Sequence, residues 1–320
     1  MWSAHGSLRM ARILITGGAG FIGSHLCDRL VGLGHEVVVL DDLSLGREEN
    51  LAAVARRVRL LRGSVLDLPR LAAEVGPVSV IYHLAALISS HDSLLEPDEY
   101  LRVNVGGVLR LLDFARSLTP RPRLVFASSS TVYGLQAQPT CSEALVPAPA
   151  TTYALSKLAG EHLLAMYRER DGFEHCSLRL FNVYGPRQNP RHPYANVTCK
   201  FAHAAATDRR VKLYGTGENT RDFVHVDDVV EAFVRAGEPT PSRLYNVGTG
   251  VDTSIRSLLG VVERVSGVRL EVEQLPPWPN DIRTIRADAS RLQAELGLVA
   301  RTPLDRGLAE TVDFFRRNPR

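Results

Sequence analysis

The stretch "RILITGGAGFIGSHLCDRLVGLG", residues 12–34, decides the fold. "RILIT" (12–16) is a short apolar run of strand length, and "GFIGSHLCDRLVGLG" (20–34) carries apolar residues at helical spacing. Glycines fill the turn between them, and "EVVVL" (36–40) follows as a second strand. Outward from this unit the alternation continues with "RLLRG" (59–63), "SVIYHLA" (79–85) and "RLVFASS" (123–129) as strands, and "YLRVNVGGVLRLLDFARSL" (100–118) as a helix. The strands read as unbroken apolar runs, the pattern of strands covered on both faces. Alternating β and α elements of this kind predict an α/β fold with a doubly wound parallel sheet and right-handed crossovers.

After "CSLRLFNVYG" (176–185) the texture changes to the Pro-, Asn- and Arg-rich "GPRQNPRHPYANV". Shorter elements follow: a helix near 195–207, a strand "VKLYG" (211–215), a helix "HVDDVVEAFVRAG" (225–237) and a strand "RLYNVG" (243–248). We expect residues 1–9 to be a flexible leader, with Met10 an alternative start, and 10–180 to form a dinucleotide-binding domain to which 225–250 returns. Residues 181–224 and 251–320 are expected to form a smaller C-terminal α/β lobe for the substrate.

Bulk properties exclude several classes. An apolar share of 45%, a charged share of 23% and a formal net charge of +3 over 320 residues are ordinary for a soluble chain. No run of like charges suggests a nucleic-acid or membrane-surface partner. No apolar run reaches the ~18 residues that span a membrane. The four cysteines, Cys27, Cys141, Cys176 and Cys199, are scattered without metal-ligand spacing, which predicts a reducing, cytoplasmic compartment and no zinc site. His225 and Asp227 are more simply a helix start than metal ligands.

The glycine turn has a chemical reading. Gly17, Gly20 and Gly23 lie between a strand and a helix, where backbone N–H groups can approach a pyrophosphate at the helix N-terminus. Asp41 ends the second strand, placed to accept hydrogen bonds from an adenosine ribose and to repel a 2′-phosphate. This predicts a Rossmann-type domain that binds NAD rather than NADP. The alternative is a turn used only for packing.

A second pattern is "TTYALSKLAGEHLL" (151–164), which puts Tyr153 and Lys157 one turn apart on a helix. Oxidising a secondary alcohol needs a base, and a free phenol, with a pKa near ~10, is too weak an acid to serve as one near neutrality. A neighbouring ammonium favours the phenolate; reaching neutrality requires about three units, roughly 4 kcal/mol.

"TGGAGFIG", "HLAA" (83–86), "FASSSTVYG" (126–134), Tyr153-x-x-x-Lys157, "RLFNVYGPRQ" (179–188) and "RDFVHVDDV" (221–229) occur in this order. Together they resemble the extended short-chain dehydrogenase/reductase family, in particular its NAD-dependent nucleotide-sugar epimerases and dehydratases. The resemblance implies Tyr153 as base, Lys157 as its partner and a holder of the nicotinamide ribose, and Ser129, with Thr131 beside it, as a hydrogen-bond donor to the reacting oxygen. It implies a cofactor site of Gly17, Gly20, Phe21, Ile22, Gly23, Asp41, Asp42, Ser64, Val65, Leu84, Ala85, Ala86, Asn104, Tyr153 and Lys157. For His83 and Asn104 a structural role in packing or backbone bonding stands beside direct cofactor contact. Nucleotide-sugar contacts are implied for Ser129, Tyr153, Asn182, Asn196, Lys212, Tyr214 and Arg221. The helices 100–118 and 153–168 are implied to pair in a homodimer.

The resemblance also discriminates between reactions. Dehydratases of the family read TDEVYG where this chain has "SSSTVYG", and decarboxylases TSEVYG; Ser130 and Thr131 stand in the acid slots. A hydroxyl cannot replace a carboxylate as an acid–base group. The expected activity is therefore 4-epimerisation of a UDP-hexose, UDP-N-acetylhexosamine or UDP-hexuronate. A decarboxylase, dehydratase, 4-ketoreductase or non-catalytic NAD-binding sensor are the alternatives. Two departures bear on the sugar. In "WPNDIRTIRAD", Trp278 and Asn280 replace the arginine and glycine of the usual R-P-G-D. Either Arg283 or Arg286 compensates, or the nucleotide end is held differently. Ile88 replaces a residue that is often polar in relatives. Ile285 falls at a gate position, where a small residue would admit an N-acetylated sugar; the other reading is that it packs. Arg187, Arg191 and Lys200 add cations, most of them expected at the surface.

Overall fold

The computed structural model describes residues 10–191, 195–241, 243–277 and 283–319. The first half runs β1 Arg12–Thr16, α1 Phe21–Gly32, β2 Glu36–Asp41, β3 Val58–Arg62, α2 Leu68–Val75, β4 Val80–His83, short helices α3 Asp92–Leu95 and α4 Pro97–Tyr100, α5 Gly106–Ser117, β5 Arg123–Ser129, β6 Thr140–Cys141, α6 Thr152–Asp171 and β7 His175–Leu180. The second half runs β8 Asn182–Tyr184, α7 Val197–Ala206, β9 Arg210–Tyr214, β10 Thr220–His225, α8 Val226–Gly237, β11 Leu244–Val247, β12 Asp252–Ser254, α9 Ile255–Ser266, β13 Glu271–Leu275, β14 Arg286–Ala287, α10 Ser290–Leu296 and α11 Leu304–Arg317.

Seven strands form one parallel sheet in the order β11-β7-β5-β4-β1-β2-β3. The apolar runs are buried on both faces because helices cover both. On one face α1, α8 and α10 pack over Ile13, Ile15, Val37, Val39 and Tyr82. On the other, α2, α5 and α6 pack over Leu14, Val38, Leu40, Ile81 and Leu124. This layering is the doubly wound α/β arrangement, and the order reverses at β1, between β2 and β4.

Register matters more than order for the site. Thr16 pairs with Leu40 and His83, His83 with Phe126, and Ser129 with Leu180, so the strands end along one rim. A second core, of α7, α9 and α11 with Leu258, Val262, Leu308, Val312 and Phe315, belongs to the C-terminal part. Small sheets, β12-β10-β8 and β13-β9, attach to it.

The helix expected over 100–118 is interrupted. Leu101–Val105 form a turn of π-helix before α5 begins at Gly106. Such a widened turn costs backbone geometry and often marks a local constraint; here it contains Asn104, whose side-chain bonds are described below. Among the described residues no helix is long and apolar enough to cross a membrane.

Candidate active site

The strand rim opens into a cavity of about 2470 Å³ that runs from the β1–α1 turn to the C-terminal lobe. Ordinary small-molecule sites occupy about 300–1,000 Å³, so this space suits two ligands rather than one.

At one end lies the glycine turn. Gly17 has φ +73°, and a Cβ there would sit 2.7 Å from the Ala85 nitrogen. A Cβ on Gly23 would meet the Gly17 oxygen at 2.1 Å, so the helix start can approach the strand end only without side chains. Gly20, the residue before α1, makes no side-chain cap, and Gly20, Phe21, Ile22 and Gly23 line the cavity. The first-turn N–H groups and the positive helix end therefore face open space, an arrangement suited to a pyrophosphate.

Asp41 lies beside this cradle. It is buried, accepts bonds from Ala19 N and Leu43 N at 2.9 Å each, and burial pushes its carboxyl upward. A Cβ on Gly46 would come within 2.8 Å of the carboxylate. Asp42, Ser64 and Val65 line the same end. Ser64 accepts from Leu66 N, which fixes the turn after β3. Leu84, Ala85 and Ala86 form the opposite wall. Thr16 holds them: its hydroxyl is 2.7 Å from His83 Nδ1 and accepts from Ala85 N at 3.3 Å. Burial first, then the Lys157 charge, pushes His83 down to about 3.

At the centre are Ser129, Tyr153 and Lys157, all on the cavity wall. Thr151 caps α6 by accepting from Ala154 N, so the helix starts with Tyr153 in its first turn at the rim. Lys157 Nζ donates to Ala127 O at 2.8 Å and lies 5.9 Å from the centre of the Tyr153 ring. Ser129 Oγ accepts from Thr131 N and, at 2.9 Å, from Thr131 Oγ1. Its own proton is thereby left for a hydrogen bond to the Tyr153 oxygen. The balance of forces on Tyr153 differs from the expectation. Its ring is partly exposed to the cavity, yet burial pushes the phenol up to about 12; the Ser129 bond opposes this and Tyr100 adds to it. The Lys157 ammonium, expected to pull the phenol down, is engaged with Ala127 O. Burial in turn brings Lys157 down to about 8.

Two candidates stand behind the wall. Thr131 reaches Ser129 and does not line the cavity. Asn104 is buried, exchanges bonds with Leu87 N and O at 2.8 and 3.0 Å, and donates to Ser156 Oγ at 2.9 Å. It ties the loop after β4 to α6 from within the π turn; of the two readings for Asn104, the backbone-bonding one matches its contacts.

At the far end Asn182, Asn196, Lys212, Tyr214 and Arg221 line the cavity, with Lys200 and Arg191. Asn196 also caps α7 by accepting from Thr198 N. Arg221 is seated by its neighbour Asp222, which is buried and accepts from Thr249 N, Thr249 Oγ1, Gly250 N and Ala287 N at 2.6–3.0 Å. Arg187 lines the cavity but pairs with Asp28 at 2.6 Å.

Two further positions lie off the cavity wall. Arg286 does not line the cavity; it pairs with Asp252 at 2.7 Å and donates to Thr140. Ile285 is 5% exposed, packs with Val132, Tyr133, Cys141, Phe181 and Ala287, and does not line the cavity, which favours the packing reading of this position. Trp278 and Asn280 lie outside the described residues. Sequence reasoning missed Asn50, Leu87, Phe181 and Asn219 on the wall. Asn50, which donates to Ala19 O, sits in a loop without a motif, and Phe181 reads as one more apolar strand residue. His225, Asp227 and Glu310 are the one triple of metal-ligand side chains among the described residues, and none lines the cavity.

The sequence pattern of the NAD dependent epimerase/dehydratase family matches residues 13–248. A UDP-glucose 4-epimerase of Mycolicibacterium smegmatis is 44% identical over 95% of this chain and 98% of its own. A UDP-glucose 4-epimerase of Thermus thermophilus, solved with NAD, is 37% identical with a TM-score of 0.88, covering 95% of this chain and 99% of that one. A UDP-N-acetylglucosamine 4-epimerase of Methanobrevibacter ruminantium, solved with UDP-N-acetylmuramic acid, superposes with a TM-score of 0.92 at 31% identity, covering 97% and 100%.

Proposed function

The chain belongs to the NAD-dependent epimerase/dehydratase family, and from that premise we propose that it interconverts UDP-glucose and its galacto partner by epimerisation at C4. The observation that carries the reading is the end of β5. Ser129 and Tyr153 share the cavity wall beside the glycine cradle, while Ser130 and Thr131 put hydroxyls where elimination would need carboxylates.

NAD is the cofactor of this family, and the residues present fit it. The glycine cradle would hold the pyrophosphate, Asp41 the adenosine ribose, and Lys157 the nicotinamide ribose. When bound, NAD supplies an acceptor for the hydride leaving C4, returns that hydride, and brings positive charge toward the phenol. Tyr153 takes the C4 hydroxyl proton at its phenolic oxygen and later gives it back. Ser129, its oxygen already satisfied by Thr131, turns its single proton from the Tyr153 oxygen to the sugar oxygen as that becomes a carbonyl. Arg221, Lys212 and the asparagines grip the UDP portion while the keto sugar turns over in a cavity wide enough for it.

The exposed Leu101, Leu109, Leu155 and Met166 on the π turn, α5 and α6 support a homodimer through these helices. Sedimentation at equilibrium tests this; a monomer at all concentrations refutes it. Four free, buried cysteines support a cytoplasmic protein. Proton NMR of the protein with UDP-glucose, UDP-N-acetylglucosamine, UDP-glucuronate and the thymidine analogue, without added cofactor, tests the activity. We expect the galacto signal from UDP-glucose. Loss of carbon dioxide from the glucuronate, or no change in any tube with NAD bound, overturns the reading.

A further inference from the structure

Directly beneath the proposed reaction centre lies a buried ion pair for which the chemistry above has no use. Arg179 of β7 and Glu161 of α6 have side chains only 3% and 9% exposed. They meet bidentately, Arg179 Nε on Glu161 Oε1 at 2.9 Å and Nη2 on Oε2 at 2.7 Å. Glu161 Oε1 also accepts from the hydroxyl of Ser128, the residue before Ser129. Arg179 in turn lies over the Tyr133 ring at 4.7 Å, and Tyr133 donates to Asn246 at 2.6 Å.

Two facts give the pair a role beyond packing. Tyr153, Lys157 and Glu161 follow each other at four-residue intervals along α6, and the last two reach consecutive residues of β5: Lys157 Nζ bonds Ala127 O, and Glu161 takes the Ser128 hydroxyl. Successive bonds from one helix to successive strand residues fix its position along the strand. The next residue of that strand, Ser129, is the one that meets Tyr153. A buried charge pair is also a poor choice for stability alone, since apolar replacements of similar volume are often as stable.

We propose that Glu161 and Arg179 are positioning residues, a buried clamp that acts through Ser128 to set the helix carrying Tyr153 and Lys157 against the strand end carrying Ser129. The clamp is rigid where a sliding contact would not be: the guanidinium fork and the carboxylate are both planar, and their two parallel bonds leave little freedom. A displacement on the order of 1 Å at the reacting groups can lower turnover about a hundredfold.

The proposal rests on Tyr153 as the reacting base, so the test reads that phenol directly as well as turnover. Tyr153 is titrated in the NAD-bound protein by ultraviolet difference absorbance, with Tyr153→Phe as the blank. The variants are Ser128→Ala, which removes the link and keeps the ion pair, Ser128→Thr, which keeps the hydroxyl, and the apolar double variant Glu161→Leu/Arg179→Met, which preserves folding if Glu161→Gln alone does not fold. In Ser128→Ala and in the double variant the Ser129 bond to the phenolate is misaligned. The midpoint is then expected to rise by about one pH unit, and kcat for UDP-glucose to fall about ten- to a hundredfold with KM little changed. Ser128→Thr restores both. A shifted titration in a protein whose wild type does not epimerise any sugar removes the epimerase reading and leaves the clamp standing. An unshifted midpoint in both Ser128→Ala and the double variant overturns the clamp, whatever the wild type turns over.

Discussion

The two ends of the cavity are built on different principles. At the cradle end the polar groups satisfy one another within a few residues of adjacent parallel strands: Asp41 with Ala19 and Leu43, Thr16 with His83 and Ala85. Its positions follow from sheet register, since Thr16 pairs with both Leu40 and His83. At the far end Asn182, Lys212 and Arg221 come from β8, β9 and β10, strands of small sheets, and their alignment depends on long-range anchors such as Asp222. The first end is a frame in which the groups proposed to hold the cofactor also bond the fold together. The second is an array of side chains that reach into solvent, where binding can change while the fold does not.

The sharpest test of this contrast lies where the two ends meet. Tyr153→Phe keeps the ring and removes the oxygen, so NAD content and melting temperature should stay as they are. Turnover should fall by about a thousandfold or more, the upper part of the range for losing an acid–base group. Activity within tenfold of wild type would place the base elsewhere and break the link between the ends.

Arg221→Met probes the far end alone. Its neighbour Asp222 carries the anchoring bonds, so the strand should hold. A charge-assisted bond to the diphosphate is worth about 1.5–3 kcal/mol, and KM for UDP-glucose should rise roughly ten- to a hundredfold with kcat little changed. A fall in kcat with unchanged KM would mean that this end is as tightly coupled to the chemistry as the cradle is.

Asp41→Asn probes the cradle. The amide keeps one of the two acceptors, since Ala19 N bonds Oδ2 and Leu43 N bonds Oδ1, and it removes the negative charge proposed to face the ribose. Discrimination between NAD and NADP, read by competition for the apoprotein, should weaken about tenfold, the size of one modest electrostatic contribution. Unaltered discrimination would show that the carboxylate serves the loop and not the cofactor.

The same contrast explains what could be read from the sequence. The β1–α1–β2 unit was legible because its determinants are local: an apolar run, glycines that no other residue could replace without clashing at Ala85 or Gly17, then a second apolar run. Tyr153, Lys157 and Ser129 were legible as positions, since helical spacing and a strand end place them without tertiary knowledge; their roles are what the substitutions above examine. Asn104 was half legible, because nothing local announces that its amide binds Leu87 across a π turn. Strands as short as β12 and β14 exist only through their partners and carry little propensity of their own. The Lys157 contact was hidden too, since its bond to Ala127 O depends on where β5 ends relative to α6.

Ile285 is the smallest and most discriminating case. The residues before it depart from the family's usual run, so a register counted back from Asp288 put it at the sugar gate. The structure puts it among Val132, Tyr133, Cys141, Phe181 and Ala287, 5% exposed. Phe181 is the one member of that cluster on the cavity wall, so any influence of Ile285 on the sugar must pass through that ring. Ile285→Val removes a single methyl group and should cost about 0.5–1.5 kcal/mol of stability, read as a lower denaturant midpoint. The ratio of kcat/KM for UDP-N-acetylglucosamine to that for UDP-glucose should stay within twofold or so, because 1 kcal/mol in a core need not appear in a wall. A changed ratio with an unchanged midpoint would return Ile285 to the gate, and would mean that the far end of the cavity is shaped from behind as well as by the side chains that face it.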